Sequence, residues 1–232
     1  MRTIGVIQPS FIPWRGYFDF IHEVDVFVFL DDVQYTVRDW RNRNRIRTVD
    51  GPSSWLTIPV KGGRNQLIKD VMVDTEQDWR RKHLNTLRHN YARTPYFDEY
   101  FPGVEAVYDE PIQSLSELDI RLTEAISGWL GIETLFRVSS DLEVPGDKGA
   151  RLRNLVKALG GDRYLSGPSA AEYLDPRAWE AQGIQLDFKD YGGYPQYEQI
   201  AEPFDPQVSI LDLLFMTGPS APEYIWGELR ER

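Results

Sequence analysis

The chain has 232 residues, of which 41% are hydrophobic and 27% charged, and its formal net charge is −10 at pH 7. These values are ordinary for a globular protein and exclude a disordered chain, while the acidic balance argues against broad binding to nucleic acid. The chain has no cysteine, no apolar run of the ~20 residues that a membrane span needs and no signal-peptide pattern, so we expect a cytoplasmic protein without disulfides, thiolate zinc sites or membrane insertion.

The amino-terminal segment predicts a strand, a helix and a second strand. Residues 3–7 are apolar, residues 16–24 place Tyr17, Phe20 and Ile21 on one helical face, and residues 25–30 are rich in strand-forming residues. Such a βαβ unit favours a parallel sheet with a right-handed crossover. We therefore expect one α/β domain over residues 1–232.

A β-hairpin is predicted after the second strand. Asp50 and Gly51 form a turn signal between two extended runs, residues 44–49 and 54–60. The hairpin is expected as an insertion at about residues 40–62, followed by another strand at residues 68–73.

The rest of the chain alternates predicted helices and strands. Thr75, with Asp78 in the position of a capping box, predicts the start of a helix that runs to about Ala92 and ends before Pro95. The remaining predicted elements are a helix at 115–130, a strand at 134–138, a helix at 149–159, a strand at 163–165, a helical stretch at 176–182, a strand at 184–188 and a helix at 209–216.

The loops that follow the first two strands are the predicted ligand site. In open α/β sheets, ligands bind at the carboxyl ends of the strands, which selects residues 8–15 and 31–40. Pro9 and Pro13 fix φ in the first loop, and Gly16 would allow the backbone to approach a ligand where the helix begins. An aromatic cap on the core is an equally good interpretation of the first loop.

Asp31 and Asp32 end the second predicted strand. Alternation along a strand puts them on opposite faces, so we do not expect them to act as a pair. One of them could serve as a general base, a metal ligand or an anchor for a hydroxyl group. The alternative is that one caps the following turn and the other is solvated.

The run Arg41–Arg47 reads RNRNRIR and is strongly basic in an acidic chain. On a strand the four arginines would share one face, and guanidinium groups bind phosphate or carboxylate in bidentate fashion. A diphosphate or a phosphopantetheine would suit that face. Pairing with local acidic residues is the alternative.

His83 is the best acid–base candidate of the chain. Trp79, His83, Leu87 and Tyr91 recur every four residues, so His83 faces inward on the predicted helix. An inward histidine is more often a hydrogen-bonded core residue than a catalyst, and spacing leaves both roles open. Ser166 and Gly167 follow a short strand and could form another ligand loop or a helix cap.

Taken together, these residues resemble the WbqC-like family of bacterial proteins. The likeness rests on IGVIQPSFIPWRGYFDFI, DVFVFLDDVQY, WRNRNRI, WLTIPVK, WRRKHLNTLRHNY, the pair Ser139 and Ser140, YLSG, YPQ and VSILDLLFMTG. Members are associated with gene clusters for O-antigen and other surface polysaccharides. The resemblance implies a cytoplasmic transferase that moves an acyl or aminoacyl group to a nucleotide-linked amino sugar.

In that reading, His83 or Asp32 takes the proton from the attacking amine, and the donor is a phosphopantetheine-linked acyl group on an acyl carrier protein. No metal and no further cofactor is required. The expected substrate-binding set is Gln8, Trp14, Gly16, Tyr17, Asp31, Gln34, Tyr35, Trp40, Arg41, Asn42, Arg43, Ser139, Ser166, Gly167, Tyr194 and Gln196.

A weaker resemblance is to the nucleotidylyltransferase-like fold of pantothenate synthetase and its relatives. Those enzymes carry a His-x-Gly-His signature at the start of the first helix, where this chain has Trp14, Arg15, Gly16 and Tyr17. Adenylyl transfer, or ATP-dependent activation, is therefore an alternative that lacks both histidines. A binding or scaffolding subunit without catalytic activity is the other alternative.

Overall fold

The computed structural model describes residues 1–227. In chain order the elements are β1 (Thr3–Ile7), α1 (Arg15–His22), β2 (Val26–Phe29), β3 (Arg43–Ile46), β4 (Ser54–Thr57), β5 (Val60–Lys61), β6 (Met72–Val73), α2 (Trp79–Tyr91), α3 (Phe97–Asp109), α4 (Leu115–Trp129), β7 (Leu135–Val138), α5 (Lys148–Ala158), β8 (Arg163–Ser166), α6 (Pro176–Glu180), β9 (Gln185–Phe188) and α7 (Ile210–Thr217).

Five strands form one parallel sheet in the order β7-β2-β1-β8-β9. The chain first builds outward from β1 through β2 to β7, and then returns to the other side of β1 for β8 and β9. The predicted α/β class and the parallel βαβ unit are confirmed. The strand order reverses between β1 and β8, which is where open α/β sheets bind their ligands.

The central strands β1 and β2 are buried on both faces, which explains why they read as continuous apolar runs. Phe27 and Phe29 pack into the larger core with α1. Val26 and Val28 lie in a second core, together with Trp179 from α6. Alternation along β2 therefore supplies aromatic residues to one face and valines to the other.

Gly5 of β1 allows α1 to lie close to the sheet. A Cβ atom at this position would come within 2.4 Å of the Phe20 ring. Because Gly5 has no side chain, Phe20 can pack directly on the strand, and this contact holds the last turn of α1 against the middle of β1.

The predicted hairpin is confirmed as β3 and β4, which pair antiparallel from Arg43 opposite Thr57 to Ile46 opposite Ser54. The strand predicted at residues 68–73 is wrong for its first half. Ile68–Asp70 is a 3₁₀ helix, and only β6 is extended, paired with β5. The backbone N–H of Ile68 donates to Val33 and that of Lys69 to Asp31, so this segment binds a loop instead of a sheet.

Two helix predictions need correction. Helix α2 begins at Trp79 with Asp78 as N-cap residue, and neither Thr75 nor Asp78 supplies a capping hydrogen bond. Helix α3 was not predicted, and it contains Pro102 in its interior. Burial of Phe101 and Val104 in the core outweighs the cost of the proline. Within residues 1–227, no helix is both long enough and apolar enough to cross a bilayer.

Candidate functional site

A cleft of about 630 Å³ opens at the carboxyl ends of β1 and β8. Gln8 directly follows β1, and Ser166 and Gly167 stand where β8 ends. The cleft therefore lies at the point where the strand order reverses. This is the position that the topology of an open parallel sheet predicts for a ligand.

Arg41 provides the positive charge of the cleft. Its Nη2 donates to Gln8 Oε1 at 2.7 Å and its Nη1 to Ser10 Oγ at 3.0 Å. Both acceptors are neutral, and the only carboxylate that the structure pairs with Arg41 is Asp39, at 3.5 Å within the described part of the chain. The two neutral partners orient the guanidinium without cancelling its charge, so it can bind an anion.

Arg41 and Arg43 share that one carboxylate. Burial raises the pKa of Asp39, but the hydrogen bond from Thr36 and the charges of Arg41 and Arg43 lower it below its ordinary value overall. Two guanidinium groups beside one ionised carboxylate leave a net positive charge at the cleft. In a chain of net charge −10, this is a local exception that favours a phosphorylated ligand.

Aromatic side chains form much of the cleft wall. Trp14 lies against Tyr191 with ring centroids 5.4 Å apart. The Tyr17 hydroxyl donates to the backbone oxygen of Gln8 at 3.0 Å. Burial raises the pKa of Tyr17 well above its ordinary value, so its hydroxyl stays protonated and continues to fix Gln8.

Seven of the predicted site residues line the cleft, and the rest lie elsewhere. The residues that line it are Gln8, Trp14, Tyr17, Trp40, Arg41, Ser166 and Gly167. Residues outside the expected substrate-binding set also line it, among them Ser10, Asn44 and Tyr191. Asn44 holds the first loop in place by donating from Nδ2 to the backbone oxygens of Phe11 and Ile12.

Several predicted ligand contacts are used for internal packing. The space beside Gly16 is filled by the Trp14 ring, 2.3 Å from where a Cβ would stand, so the close approach is to a side chain. Tyr35 is buried in the core and cannot stack on a ligand. Asn42 donates to the backbone of Ile58.

Three more predicted residues lie outside the cleft lining. Gln34 donates to the backbone of Arg64. The Tyr194 hydroxyl donates to Asp19, and Gln196 is exposed. The structure gives none of the three a place in the cleft wall.

The four arginines do not form one anion-binding face. Arg45 pairs with Asp205 at 3.2 Å, and the buried Arg47 donates to the backbone oxygen of Ala201 at 2.6 Å. Both are therefore occupied by partners from the carboxyl-terminal part of the chain. Of the four, only Arg41 lines the cleft, and Arg43 lies outside the lining with its guanidinium over the Trp55 ring.

Asp31 and Asp32 share one serine hydroxyl, although strand alternation would have put their side chains on opposite faces. The hydroxyl of Ser139 lies 3.1 Å from Asp31 Oδ1 and 2.5 Å from Asp32 Oδ1. Because β2 ends at Phe29, the alternation rule does not extend to either residue. Ser140 adds donors to Asp31 from its backbone and its hydroxyl.

Asp32 also forms an ion pair with Arg151. Burial would raise the pKa of Asp32, but the hydrogen bonds from Arg151 and Ser139 and the Arg151 charge lower it below its ordinary value. A carboxylate with a lowered pKa and a fixed cation partner is a weak base. The cluster closes the ends of β2 and β7, and neither aspartate lines the cleft.

His83 lies in the core, between α2 and the hairpin. Its Nε2 is 3.1 Å from the backbone oxygen of Thr57, and its Nδ1 is 3.3 Å from the Tyr108 hydroxyl. Burial lowers the pKa of His83 to about 4, although the Thr57 oxygen acts in the opposite direction. The neutral ring thus donates to Thr57 and accepts from Tyr108, and it does not line the cleft.

Asp119 of α4 was missed by sequence reasoning. It is fully buried, and neither carboxylate oxygen has a hydrogen-bond partner. Burial raises the pKa of Asp119 well above its ordinary value, opposed by the charge of Arg41. Its spacing in the sequence could have revealed it, because Asp119 falls between Leu115 and Leu122 on the apolar stripe of the helix.

Comparison with known proteins gives a family but no solved relative. The profile described as the WbqC-like protein family matches residues 8–224. The chain is 43% identical over 228 residues to the uncharacterized protein Rv1507c of Mycobacterium tuberculosis, and the match covers 97% of this chain and 98% of that protein. No solved structure matches the chain significantly.

Proposed function

The chain belongs to the WbqC-like protein family, and from that premise and the geometry of the cleft we propose that it is a transferase of nucleotide-sugar or surface-polysaccharide biosynthesis. The reaction we propose is transfer of an acyl or aminoacyl group from a phosphopantetheine-linked carrier to the amine of an amino sugar nucleotide. The observation that carries the proposal is Arg41, an oriented and incompletely neutralised cation at the switch point of the sheet.

The cleft would hold such a substrate through three kinds of contact. Arg41 binds the diphosphate, because a guanidinium group matches phosphate oxygens in charge and geometry. Trp14 and Tyr191 pack against flat or apolar faces of the ligand. Ser166, at the end of β8, offers a hydroxyl for hydrogen bonds to the sugar.

The chemistry needs positioning more than acid–base groups. The free amine of the sugar attacks the thioester carbonyl, a C–N bond forms, the C–S bond breaks, and the proton lost by nitrogen goes to the departing thiolate. No carboxylate or imidazole belongs to the cleft lining within residues 1–227. Rate enhancement would come from holding the amine and the thioester together.

The carrier and the location follow from the same proposal. An acyl carrier protein would present the thioester at the open side of the cleft. Nucleotide-linked sugars and carrier thioesters are used in the cytoplasm, so we place the protein there.

The first experiment measures binding and then transfer. Thermal denaturation is followed with a panel of nucleotide-linked amino sugars, their N-acetylated forms, ATP and coenzyme A, because a ligand that binds the native state raises the melting temperature. Arg41→Ala should abolish the shift. Arg121→Ala is the matched control, since Arg121 is exposed and pairs with Glu110 on the surface.

Transfer is then measured by release of thiol from an acyl-phosphopantetheine. The chain has no cysteine, so a thiol reagent reports only the leaving group, without background from the protein. Thiol release that requires the amino sugar nucleotide supports the proposal. Stabilisation by ATP alone, with release of pyrophosphate, would replace it with the adenylyl-transfer alternative.

A non-catalytic binding subunit is the second candidate, favoured by the lack of acid–base groups in the described cleft lining. It predicts a melting-temperature shift with the sugar nucleotide and no thiol release with any acyl donor.

A further inference from the structure

Two half-exposed tryptophans lie beside the open side of the cleft. Trp40 is 41% exposed and Trp55 of β4 is 43% exposed. Their ring centroids are 5.5 Å apart, with the planes tilted by 38°. Single exposed apolar residues are common on protein surfaces, but a contacting pair of large aromatic rings next to a cleft is typical of a binding surface.

Trp40 links this pair to the cleft. Its side chain belongs to the cleft lining, whereas Trp55 lies outside the lining. The backbone oxygen of Trp40 accepts from the N–H of Phe11 at 2.9 Å, which ties it to the loop after β1. The aromatic surface therefore extends from the cleft onto the hairpin, and the hydrogen bond to Phe11 holds the backbone of Trp40 in place.

Arg43 adds a cation to the same surface. Its guanidinium carbon lies 4.3 Å from the centroid of the Trp55 ring, and its buried Nε has no hydrogen-bond partner. This cation–π contact positions the guanidinium and, unlike an ion pair, leaves its charge available to a ligand. Arg45, the cross-strand neighbour of Trp55, is instead held by Asp205.

We propose that Trp40, Trp55 and Arg43 form a base-stacking surface, which binds the nucleobase of a nucleoside diphosphate whose phosphates lie at Arg41. This inference rests on the proposed function and specifies how its substrate is recognised. Arg41 and Trp40 both line the cleft, and Trp55 contacts Trp40 from outside the lining, so a diphosphate at Arg41 would have its base near the two tryptophans.

A nucleobase fits this surface better than the reacting sugar does. The sugar amine must meet an acyl donor in the cleft, while the base at the other end of the diphosphate has no part in the chemistry. Stacking is available to any base because every base has a flat aromatic face, and it strengthens binding by about tenfold or more per base. The N–H groups of Arg43 can donate to the carbonyl oxygens of a base.

The test separates the base from the phosphates. Calorimetric titration of the whole protein compares inorganic pyrophosphate with UDP, dTDP, ADP and GDP. We expect at least one nucleoside diphosphate to bind about tenfold or more tightly than pyrophosphate. Trp55→Ala should remove that advantage and leave pyrophosphate binding unchanged, while Trp55→Phe should retain most of it.

Leu135→Ala is the matched control, because Leu135 is a half-exposed apolar residue on the edge strand β7. This substitution should leave the affinities for pyrophosphate and for the nucleoside diphosphates unchanged. Pyrophosphate binding with no preference for any nucleoside diphosphate, or a preference that survives Trp55→Ala, overturns the base-stacking surface and leaves the phosphate site standing. Failure of the wild-type protein to bind any of the five ligands contradicts the proposed function itself.

Discussion

The carboxyl edge of the sheet carries two polar regions with opposite character. The first is the cleft at the ends of β1 and β8, with Arg41 and Gln8. The second is the cluster at the ends of β2 and β7, where Asp31 and Asp32 meet Ser139. Both occupy positions where a parallel sheet can place functional groups.

The difference between them lies in how many of their hydrogen-bonding groups are satisfied. In the cluster, Asp31 accepts from Ser139 and from the backbone and hydroxyl of Ser140, and Asp32 is paired with Arg151. In the cleft, Arg41 donates to two neutral acceptors, has Asp39 at 3.5 Å as its one paired carboxylate among residues 1–227, and faces open volume. Position at the strand ends is therefore not sufficient for a ligand site, and unsatisfied capacity beside open space is the better criterion.

The largest expected effect is a loss of stability when the hydrogen-bonded cluster of Asp31, Asp32 and Ser139 is disrupted. Asp31→Ala removes a buried acceptor of three hydrogen bonds and should lower the free energy of unfolding by about 4 kcal/mol, measured by urea denaturation. Affinity for pyrophosphate should not change. Asp141→Ala, which alters an exposed aspartate in the segment that carries Ser139 and Ser140, is the control with little effect. A variant of normal stability that loses ligand binding would place the cluster in the functional site.

The second prediction asks whether His83, a buried titratable group outside the cleft, contributes to stability, as the Asp31–Asp32 cluster does, or to ligand binding. Its pKa falls from 6.5 to about 4 on folding, so the unfolded chain takes up the proton first as the pH falls. Stability contributed by the neutral ring is present above pH 6.5 and is lost between pH 6.5 and about 4, by about 3 kcal/mol.

Urea denaturation across that pH range measures the loss. His83→Gln should remove the pH-dependent step, and His89→Gln, which alters an exposed histidine, should leave it in place. If the step is unchanged in His83→Gln, another group is responsible. A structural histidine also predicts that His83→Gln, where folded, retains pyrophosphate binding.

Arg41 and Arg47 provide the sharpest contrast within one short run of sequence. Arg41→Ala should weaken pyrophosphate binding about thirtyfold, which corresponds to the loss of charge-assisted hydrogen bonds worth about 2 kcal/mol, with stability nearly unchanged. Arg47→Ala should do the reverse, because Arg47 is buried and holds the backbone of Ala201. Equal loss of pyrophosphate binding in both variants would support the original hypothesis that the four arginines form one anion-binding face.

The smallest expected effect concerns Asp119. Because its pKa is raised in the folded state, the stability linked to this group is present below pH 3.8 and is lost as the pH rises above that value. Asp119→Asn should therefore be more stable than the wild type at pH 8, by about 1 kcal/mol, and the difference should disappear towards pH 4. Greater stability of the wild type at pH 8 would show that the carboxylate is stabilised by a partner.

The sequence by itself determined the framework of this protein. Apolar runs and turn signals predicted the parallel βαβ start, the hairpin and most helices, because these features depend on neighbours a few residues apart. The strand-end rule then selected the loop from Gln8 to Arg15, and three of the candidate substrate-binding residues, Trp14, Tyr17 and Arg41, lie in the cleft lining. Helix α3 was missed, and its stability depends on core contacts that local propensity does not include.

Only the tertiary structure decided which polar groups are free. Asp31 is satisfied by a serine 108 residues away, and Arg45 is paired with an aspartate 160 residues away. Burial, which keeps His83 neutral and leaves Asp119 without a partner, is likewise a property of the packed chain. Hydrogen bonding and desolvation act between segments that are distant in sequence, so the sequence pattern shows which groups could bind a ligand and the fold shows which of them remain able to do so.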